Sequence, residues 1–460
     1  MANFDNLSRE NFGSRIGVIA AAAGSAIGLG NIWRFPYVAG ENGGGAFLLI
    51  YIGFIILIGA PVMLSEFVIG RKSQRNPVGA FRVLAPKTKW PLVGYIGIAA
   101  AFTILAFYTT VAGWTLEYLY LSIVNGFSGQ NKSELQNLFG EFAASGYSPL
   151  IWQLVFMLLT ALIVFKGVKD GIEKYTKILM PLLLIIIIGL CIRSLTLPGA
   201  SEGLIFLFKP DFSKINGNVV LQALGQSFFS LSIGMGTLIT YGSYISKKDN
   251  LGSTAVSVSI ADTLIAILAG VAIFPAVFAF GIAPEAGPGL VFITLPMIFS
   301  QITGGQFFEI IFFILLVIAA LTSTISVLEV VVAYLTEELN MSRKKATILA
   351  SGSIAVLGLF CTLSMGPMPE LSIAGMNLFD ILEKTSANIF LPLGGLFIVL
   401  FVGWKLSKEQ VIDEISNNNL LKVRFKYVFL FIVRFIAPIA ISLVFLNGLG
   451  LFNAFGGGDL

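Results

Sequence analysis

Apolar residues fall along this chain in eleven stretches of roughly 20 residues, the length an α-helix needs to cross a hydrocarbon core. They lie at 14–38, 43–70, 91–124, 149–165, 175–197, 220–246, 254–282, 305–335, 346–365, 387–404 and 426–449, and are numbered spans 1 to 11. The polar segments between them are short and hold no Ser/Pro linker or low-complexity tract, so the pattern predicts a single transmembrane domain over residues 1–460. A polar leader with Arg9, Glu10 and Arg15 precedes the first stretch, and no small-residue cleavage site follows a short apolar core. Span 1 is therefore expected to stay in the membrane rather than to be removed as a signal peptide.

Two stretches are interrupted by glycine: Gly24-Ser25-Ala26-Ile27-Gly28-Leu29-Gly30-Asn31 in span 1 and Phe229-Ser230-Leu231-Ser232-Ile233-Gly234-Met235-Gly236 in span 6. Each predicts a helix unwound at its centre. Backbone left unpaired at membrane depth is tolerated only where it is buried in protein or lines a water-filled cavity, so the pair points to a polar site at the midplane of a coupled transporter. Gly24 and Gly28 taken alone read equally well as a GxxxG packing face. Breaks in spans 1 and 6 make spans 1–5 (14–197) and 6–10 (220–404) corresponding halves. Five is odd, so the second half enters the membrane upside down. The expected fold is all-α and integral to the membrane: eleven transmembrane helices, a 5+5 inverted repeat with broken helices 1 and 6 facing each other, and an accessory helix and tail at 405–460.

Composition agrees: apolar residues make up 56% of the chain and charged residues 12%, with 40 Phe and mean hydropathy +0.88, which excludes a soluble domain of this size. A net charge of +4 is too small and scattered for a nucleic-acid partner. Of the 29 Lys and Arg, 22 fall in the segments that are internal if the N-terminus is cytoplasmic. The positive-inside bias thus predicts a multi-pass protein of the plasma (inner) membrane with its N-terminus inside and its C-terminus outside. Cys191 and Cys361 lie in apolar stretches without metal-like spacing, and the chain has no His, which excludes His ligands, bases and proton relays. An intramembrane enzyme lacks a nucleophile with a base here. A carboxylate inside span 7, Asp262, is costly unless it meets a cation, so it reads as functional; the alternative is an acid solvated near the start of the helix.

The run Gly-Ser-Ala-Ile-Gly-Leu-Gly-Asn-Ile-Trp-Arg-Phe-Pro-Tyr (24–37), followed by Glu41-Asn42-Gly43-Gly44-Gly45-Ala46-Phe47, closely resembles the neurotransmitter:sodium symporters. Gly225-Gln226-Ser227-Phe228-Phe229-Ser230 and Leu321-Thr322-Ser323-Thr324 extend the likeness, in order, over spans 1–10, and the short termini and eleven spans resemble the bacterial branch. The resemblance implies sodium-coupled uptake of an amino acid by alternating access. A same-fold symporter for another small solute, such as a betaine or a nucleobase, is the closest rival. An ion channel is a weaker one, since it would favour symmetric pore-forming repeats and has no need of paired gates.

Sodium is a hard cation that prefers oxygen ligands, which unwound helices supply as carbonyls. The resemblance places one sodium on the Ala26 carbonyl, Asn31, Ser230 and Asp262, with the substrate carboxylate, and another on carbonyls of Gly24, Ile27 and Ala319 with the hydroxyls of Thr322 and Ser323. On their own, Thr322 and Ser323 are weak signals, because hydroxyls in membrane helices usually bond back to their own backbone. Asp262 is expected to supply the negative charge that chloride provides in animal members, making transport chloride-independent. The substrate carboxylate would meet the amides of Leu29 and Gly30, the Tyr108 hydroxyl and the first sodium; the ammonium would meet carbonyls of Ala26, Phe229 and Ser230 and the Ser232 hydroxyl. The side-chain pocket implied is Ile104, Tyr108, Phe229, Met235, Ser323 and Val327. Met235 stands where a leucine-transporting member has a bulkier, stiffer aromatic, and a flexible thioether accommodates large or planar groups, so an aromatic substrate such as tyrosine is favoured. Ordinary packing is the competing account of Met235.

The resemblance also implies gates. Arg34 should close the outer path with Glu383, and Asp380 beside it, helped by Gln226 and with Phe229 as a lid; Arg9 and Glu337, with Phe12 beneath, form the inner counterpart. Unpaired surface charges are the alternative for the inner pair. Glu66 in span 2 is expected to accept hydrogen bonds from the unwound backbone of span 6, while Glu329 in span 8 reads either as a lining of the inner pathway or as a proton site.

Overall fold

Helices begin in this chain where a side chain can satisfy the first free amides. Ser14 accepts from the Gly17 amide at 3.1 Å to start Arg15–Ala26, Asn216 from Val219 at 3.0 Å, Asn250 from Ser253 at 2.9 Å and Asn377 from Asp380 at 2.8 Å. The computed structural model describes residues 10–282, 287, 289–373 and 375–451, and within them it is helical throughout, with a lone bridge between Ile373 and Met376. The Arg9 side of the inner gate and the tail from Phe452 lie outside the described residues.

Among the described residues nine helices are long and apolar enough to cross a membrane: Gly45–Ser73, Pro91–Ile123, Tyr147–Phe165, Val168–Leu195, Leu251–Ala279, Gly305–Glu338, Arg343–Ser364, Leu378–Lys405 and Lys426–Gly448. A tenth is the bent pair Arg15–Ala26 and Gly30–Glu41, which turns by 52°. The stretch expected at 220–246 is Gly217–Ser230 and Thr237–Gly242 with non-helical residues between, each piece too short to span alone. The count of eleven therefore depends on taking this broken pair as one crossing. Span 10 begins nine residues earlier than its hydropathy suggests, because Asn377 caps it ahead of Asp380 and Glu383, which dilute the apolar signal.

The connections are more structured than their length suggested. Short helices occupy Pro77–Leu84, Lys132–Ser145, Ala200–Phe208, Leu290–Gln301 and Lys408–Ile415. Span 8 is the most buried of the spans and packs along span 3; span 5 shows most of its surface. The interrupted segments of spans 1 and 6 therefore lie at the centre of the molecule, with residues Ser25 to Asn31 and Ser230 to Gly236 all buried.

Candidate functional site

Span 1 stops at Ile27, whose extended backbone (φ −77°, ψ 100°) ends the first helix, and restarts in a wide turn at Gly30. Span 6 breaks through left-handed residues: Ser232 at φ 54°, Gly234 at 87° and Gly236 at 77°. Gly234 has no alternative, since a Cβ there would also run into the Leu391 carbonyl of span 10. Two bonds hold the breaks in place. The Ser232 hydroxyl donates to the Ser25 carbonyl at 2.8 Å, and the Gly234 amide donates to Glu66 Oε1 at 2.8 Å, so Glu66 caps unwound backbone as its position in span 2 suggested.

Beside the first break lies a fully buried polar cluster. The Asp262 carboxylate accepts from Asn31 Nδ2 at 2.7 Å and from the Ser230 hydroxyl at 2.8 Å, and Tyr51 donates to Ser230 Oγ at 3.0 Å and Asp262 Oδ2 at 3.3 Å. All four side chains are at or below 1% exposure. Every donor to this carboxylate is neutral, and a buried charge held by neutral donors alone is under-compensated. The Asn31 oxygen faces away from this cluster and accepts from the Gly28 amide at 3.1 Å, so its amine, rather than the oxygen expected from sequence, meets Ser230 and Asp262. Tyr51 escaped the sequence reading because a tyrosine in an apolar run looks like packing; only its neighbours reveal the hydroxyl's task.

A second set of oxygens converges where span 8 meets span 1. Ser323 Oγ is 3.4 Å from the Gly24 carbonyl, 3.4 Å from that of Ile27 and 3.2 Å from that of Ala319, and Thr322 Oγ1 is 3.1 Å from the Ala319 carbonyl. Thr322 does bond back to its own helix, while Ser323 reaches across to span 1. Gly28 is required by proximity, since a Cβ there would meet the Tyr108 hydroxyl at 3.0 Å and collide with Ser323, while a Cβ on Gly24 would make a tight contact with Thr322 Cβ at 3.2 Å. The GxxxG account is thereby partly right, since the close approach also exposes the carbonyls. Among the described residues no group of three or more Asp, Glu, Cys or His is arranged to hold a metal ion.

Against the two breaks and Ser323 lies a cavity of about 50 Å³ whose lining includes Ala26, Gly28, Gly30, Ile104, Tyr108, Phe229, Ser232, Met235, Ser323 and Val327. The Leu29 amide is not free, as expected from sequence, but donates to the Tyr108 hydroxyl at 3.0 Å. A space of this size holds a few waters, so an amino acid enters only as side chains yield. Phe229, Tyr108, Phe107 and Gly30 also line a vestibule of about 360 Å³ on the far side of the Phe229 ring, together with Arg34, Asp380 and Glu383.

Arg34 rests on the ring it was expected to help close, its guanidinium carbon 4.4 Å from the Phe229 centroid, and among the described residues no ion pair joins it to Glu383 or Asp380. Gln226 Nε2 donates to the Gly30 carbonyl at 3.3 Å, tying span 6 to the turn of span 1. Arg34 thus lies on the Phe229 ring while the carboxylates across the vestibule stand apart from it.

The opposite end is shut. Phe12 is buried, donates its amide to the Tyr244 carbonyl at 3.2 Å, and sets its ring edge-on to Tyr241 and Tyr244 at 5.6 and 6.0 Å. Glu337 accepts from the Asn76 amide and side chain at 2.8 and 3.0 Å. Glu329 is buried and ion-paired with Arg343 at 2.6 Å while accepting from Tyr244 at 2.7 Å, which makes it part of this closure. Arg343 drew no attention in the sequence because it sits in a basic triplet that orientation alone accounts for.

The chain matches the model of the Sodium:neurotransmitter symporter family over residues 9–133 and 132–456. It is 42% identical over 440 residues to an uncharacterised sodium-dependent transporter of Bacillus subtilis, covering 96% of this chain and 98% of the relative. A sodium-dependent transporter of Methanocaldococcus jannaschii is 33% identical over 470 residues, covering 98% and 93%. Among solved structures, MhsT in complex with L-phenylalanine is similar at 50% identity with a TM-score of 0.88, covering 96% of this chain and all of that one.

Proposed function

The chain belongs to the sodium:neurotransmitter symporter family of sodium-dependent, multi-pass membrane transporters, and from that premise we propose that its solute is an amino acid with an aromatic or large hydrophobic side chain, tyrosine foremost. The observation that carries this reading is the cavity at the two breaks, bounded by Tyr108, Phe229 and Met235, with Ala26 of the first break and Ser323 of the second oxygen set in its wall. An α-amino acid has an anionic and a cationic end, and the site offers each a partner: a sodium held by Asp262, Ser230 and Asn31 with the Tyr108 hydroxyl for the carboxylate, and the carbonyls of Ala26, Phe229 and Ser230 for the ammonium. Met235 can swing aside for a large group where a stiff ring cannot. The phenylalanine bound by MhsT, half of whose sequence this chain shares, supports the class of side chain.

In this proposal Asp262 is the fixed negative charge of the first sodium site, so uptake needs no chloride. The second site, Gly24, Ile27, Ala319, Thr322 and Ser323, holds sodium by dipoles alone, at the negative end of Arg15–Ala26. Both ions and the solute bind from outside, Arg34 leaves the Phe229 ring for Glu383 or Asp380, and spans 1, 2, 6 and 7 rock against the remainder to open beside Phe12. The N-terminus is cytoplasmic in this proposal, which the lysine and arginine bias supports, and the halves 14–197 and 220–404 are the inverted repeats that rock.

The test is competition for labelled tyrosine uptake by tryptophan, leucine and alanine in proteoliposomes, with sodium and chloride each replaced in turn. The proposal expects tryptophan and tyrosine to compete best, uptake to vanish without sodium, and chloride replacement to change nothing. Uptake that persists without sodium, or that no amino acid competes for, overturns it.

A further inference from the structure

We propose that the corner where span 10 ends and span 11 begins is a binding site for the headgroup of an anionic phospholipid. Two ammonium groups converge there on one ring: Lys408 Nζ lies 4.9 Å and Lys426 Nζ 5.3 Å from the centroid of Tyr427. Among the described residues neither lysine has a carboxylate within ion-pair distance. Like charges gathered around one ring repel each other, and an anion in reach of both offsets that repulsion with two attractions.

The neighbouring charges favour the same sign. Arg434 packs into this corner, donating from Nε to the Gly403 carbonyl at 2.7 Å, while its own carbonyl accepts from Trp404 Nε1 at 3.1 Å. Glu409 lies in the field of both Lys408 and Arg434, and the group of Lys408, Lys426, Arg434 and Glu409 keeps two positive charges. The first turn of the helix Lys408–Ile415 adds the positive end of its dipole.

Position and apolar surface identify the anion's carrier. The membrane-length helices end at Lys405 and start at Lys426, so Tyr427 sits where hydrocarbon gives way to headgroups. Below it run the outward rings of Phe431 and Phe435, 5.5 Å apart, with Trp404 set edge-on to Phe435 at 5.5 Å. Tyr427, Phe431 and Trp404 are 58%, 56% and 61% exposed. A free inorganic anion has no use for such a ladder, whereas a lipid lays its acyl chain along it while its phosphate meets the lysines. The inference rests on the orientation proposed above only for the leaflet that supplies the lipid.

Native mass spectrometry of the intact transporter, released from vesicles of phosphatidylglycerol and phosphatidylcholine, tests it without calling on transport. Phosphatidylglycerol should be retained in preference to phosphatidylcholine, and Lys408→Gln/Lys426→Gln should lower that retention roughly 30-fold, the loss two interfacial lysines give. Tyr427→Leu should weaken it with both lysines intact. The control Lys344→Gln/Lys345→Gln removes as much charge from the same face and should leave retention unchanged. Equal loss from the control, indifference to Lys408→Gln/Lys426→Gln, or displacement of the lipid by millimolar inorganic phosphate overturns the proposal. Thermal melting of each variant separates misfolding from lost binding.

Discussion

The Asp262 carboxylate sits 2.8 Å from the Ser230 hydroxyl in a pocket closed to solvent, joining spans 6 and 7 at the level where span 6 unwinds. Its other partners, Asn31 and Tyr51, come from spans 1 and 2. One carboxylate thus gathers four helices.

That geometry predicts the outcome of removing the charge. Asp262→Asn removes the charge and turns one of two acceptor oxygens into a donor, so it should weaken sodium, since deleting one member of a buried charged pair costs about 3–5 kcal/mol; the sodium dependence of uptake should move to at least about hundredfold higher concentration. Asp262→Ser opens space for an anion, and uptake by this variant should rise with chloride. Uptake by Asp262→Ser that is unchanged in both sodium and chloride titrations would remove Asp262 from the ion site.

Glycines of the first break are predicted to differ from others in the same membrane. Gly28→Ala places a methyl against Ser323 and the Tyr108 hydroxyl, whereas Gly225→Ala meets nothing within 4 Å. Uptake should fall more than about tenfold for the first, equivalent to 1.4 kcal/mol of solute binding, and stay at the level of the unaltered chain for the second. Equal expression of both, checked by surface immunoblot, separates site blockage from failed insertion.

How much of this could be read beforehand follows from which forces are local. The spans were legible because lipid demands continuous apolar helix, and the breaks because clustered glycines recur in two spans at corresponding places, which helix packing alone does not ask for. Thr322 and Ser323 gained meaning only from a motif; in space, Ser323 turns out to face the Gly24 and Ile27 carbonyls almost 300 residues away in the chain. Tyr51, Arg343 and the Lys408–Tyr427–Lys426 corner were invisible, since each is defined by partners far off in sequence and by a residue type common in apolar or basic runs. The start of span 10 was misplaced for the opposite reason: Asp380 and Glu383 are charged because they face a vestibule, and hydropathy reads any charge as the end of a span.

Glu66 is predicted to act through the Gly234 amide it receives. Glu66→Gln retains an acceptor and should leave uptake within about twofold, while Glu66→Ala strands a buried N–H at a cost of about 1–3 kcal/mol. The measurement is the melting temperature in detergent alongside uptake; equal melting temperatures for the alanine and glutamine variants would show that the bond carries no load.

Met235 is predicted to govern the size of the solute. Met235→Phe stiffens and fills a cavity of only about 50 Å³, so tyrosine and tryptophan should lose potency as competitors relative to leucine. A change of roughly tenfold in the tyrosine-to-leucine ratio is the scale of one or two methylenes misfitting an apolar pocket. An unaltered ratio would return Met235 to ordinary packing.

The last prediction concerns the inner closure. Arg343 is the ion-pair partner of buried Glu329, and Tyr244, which donates to the same carboxylate, also bonds the Phe12 plug through its carbonyl. Arg343→Gln leaves Glu329 without a cation, a change worth about 3–5 kcal/mol, and the shut inner end should give way to one where Glu329 meets water. Cys191 and Cys361 are both buried, so a cysteine introduced at Ser25, on the inner wall of the solute cavity, can be labelled against a silent background. Labelling of Ser25→Cys from the inner side should rise in Arg343→Gln. It should fall back in Arg343→Gln/Glu329→Gln, where the uncompensated charge is gone and two amides can pair. Labelling that rises equally in both variants would mean that the arginine holds the closure by its packing rather than by its charge.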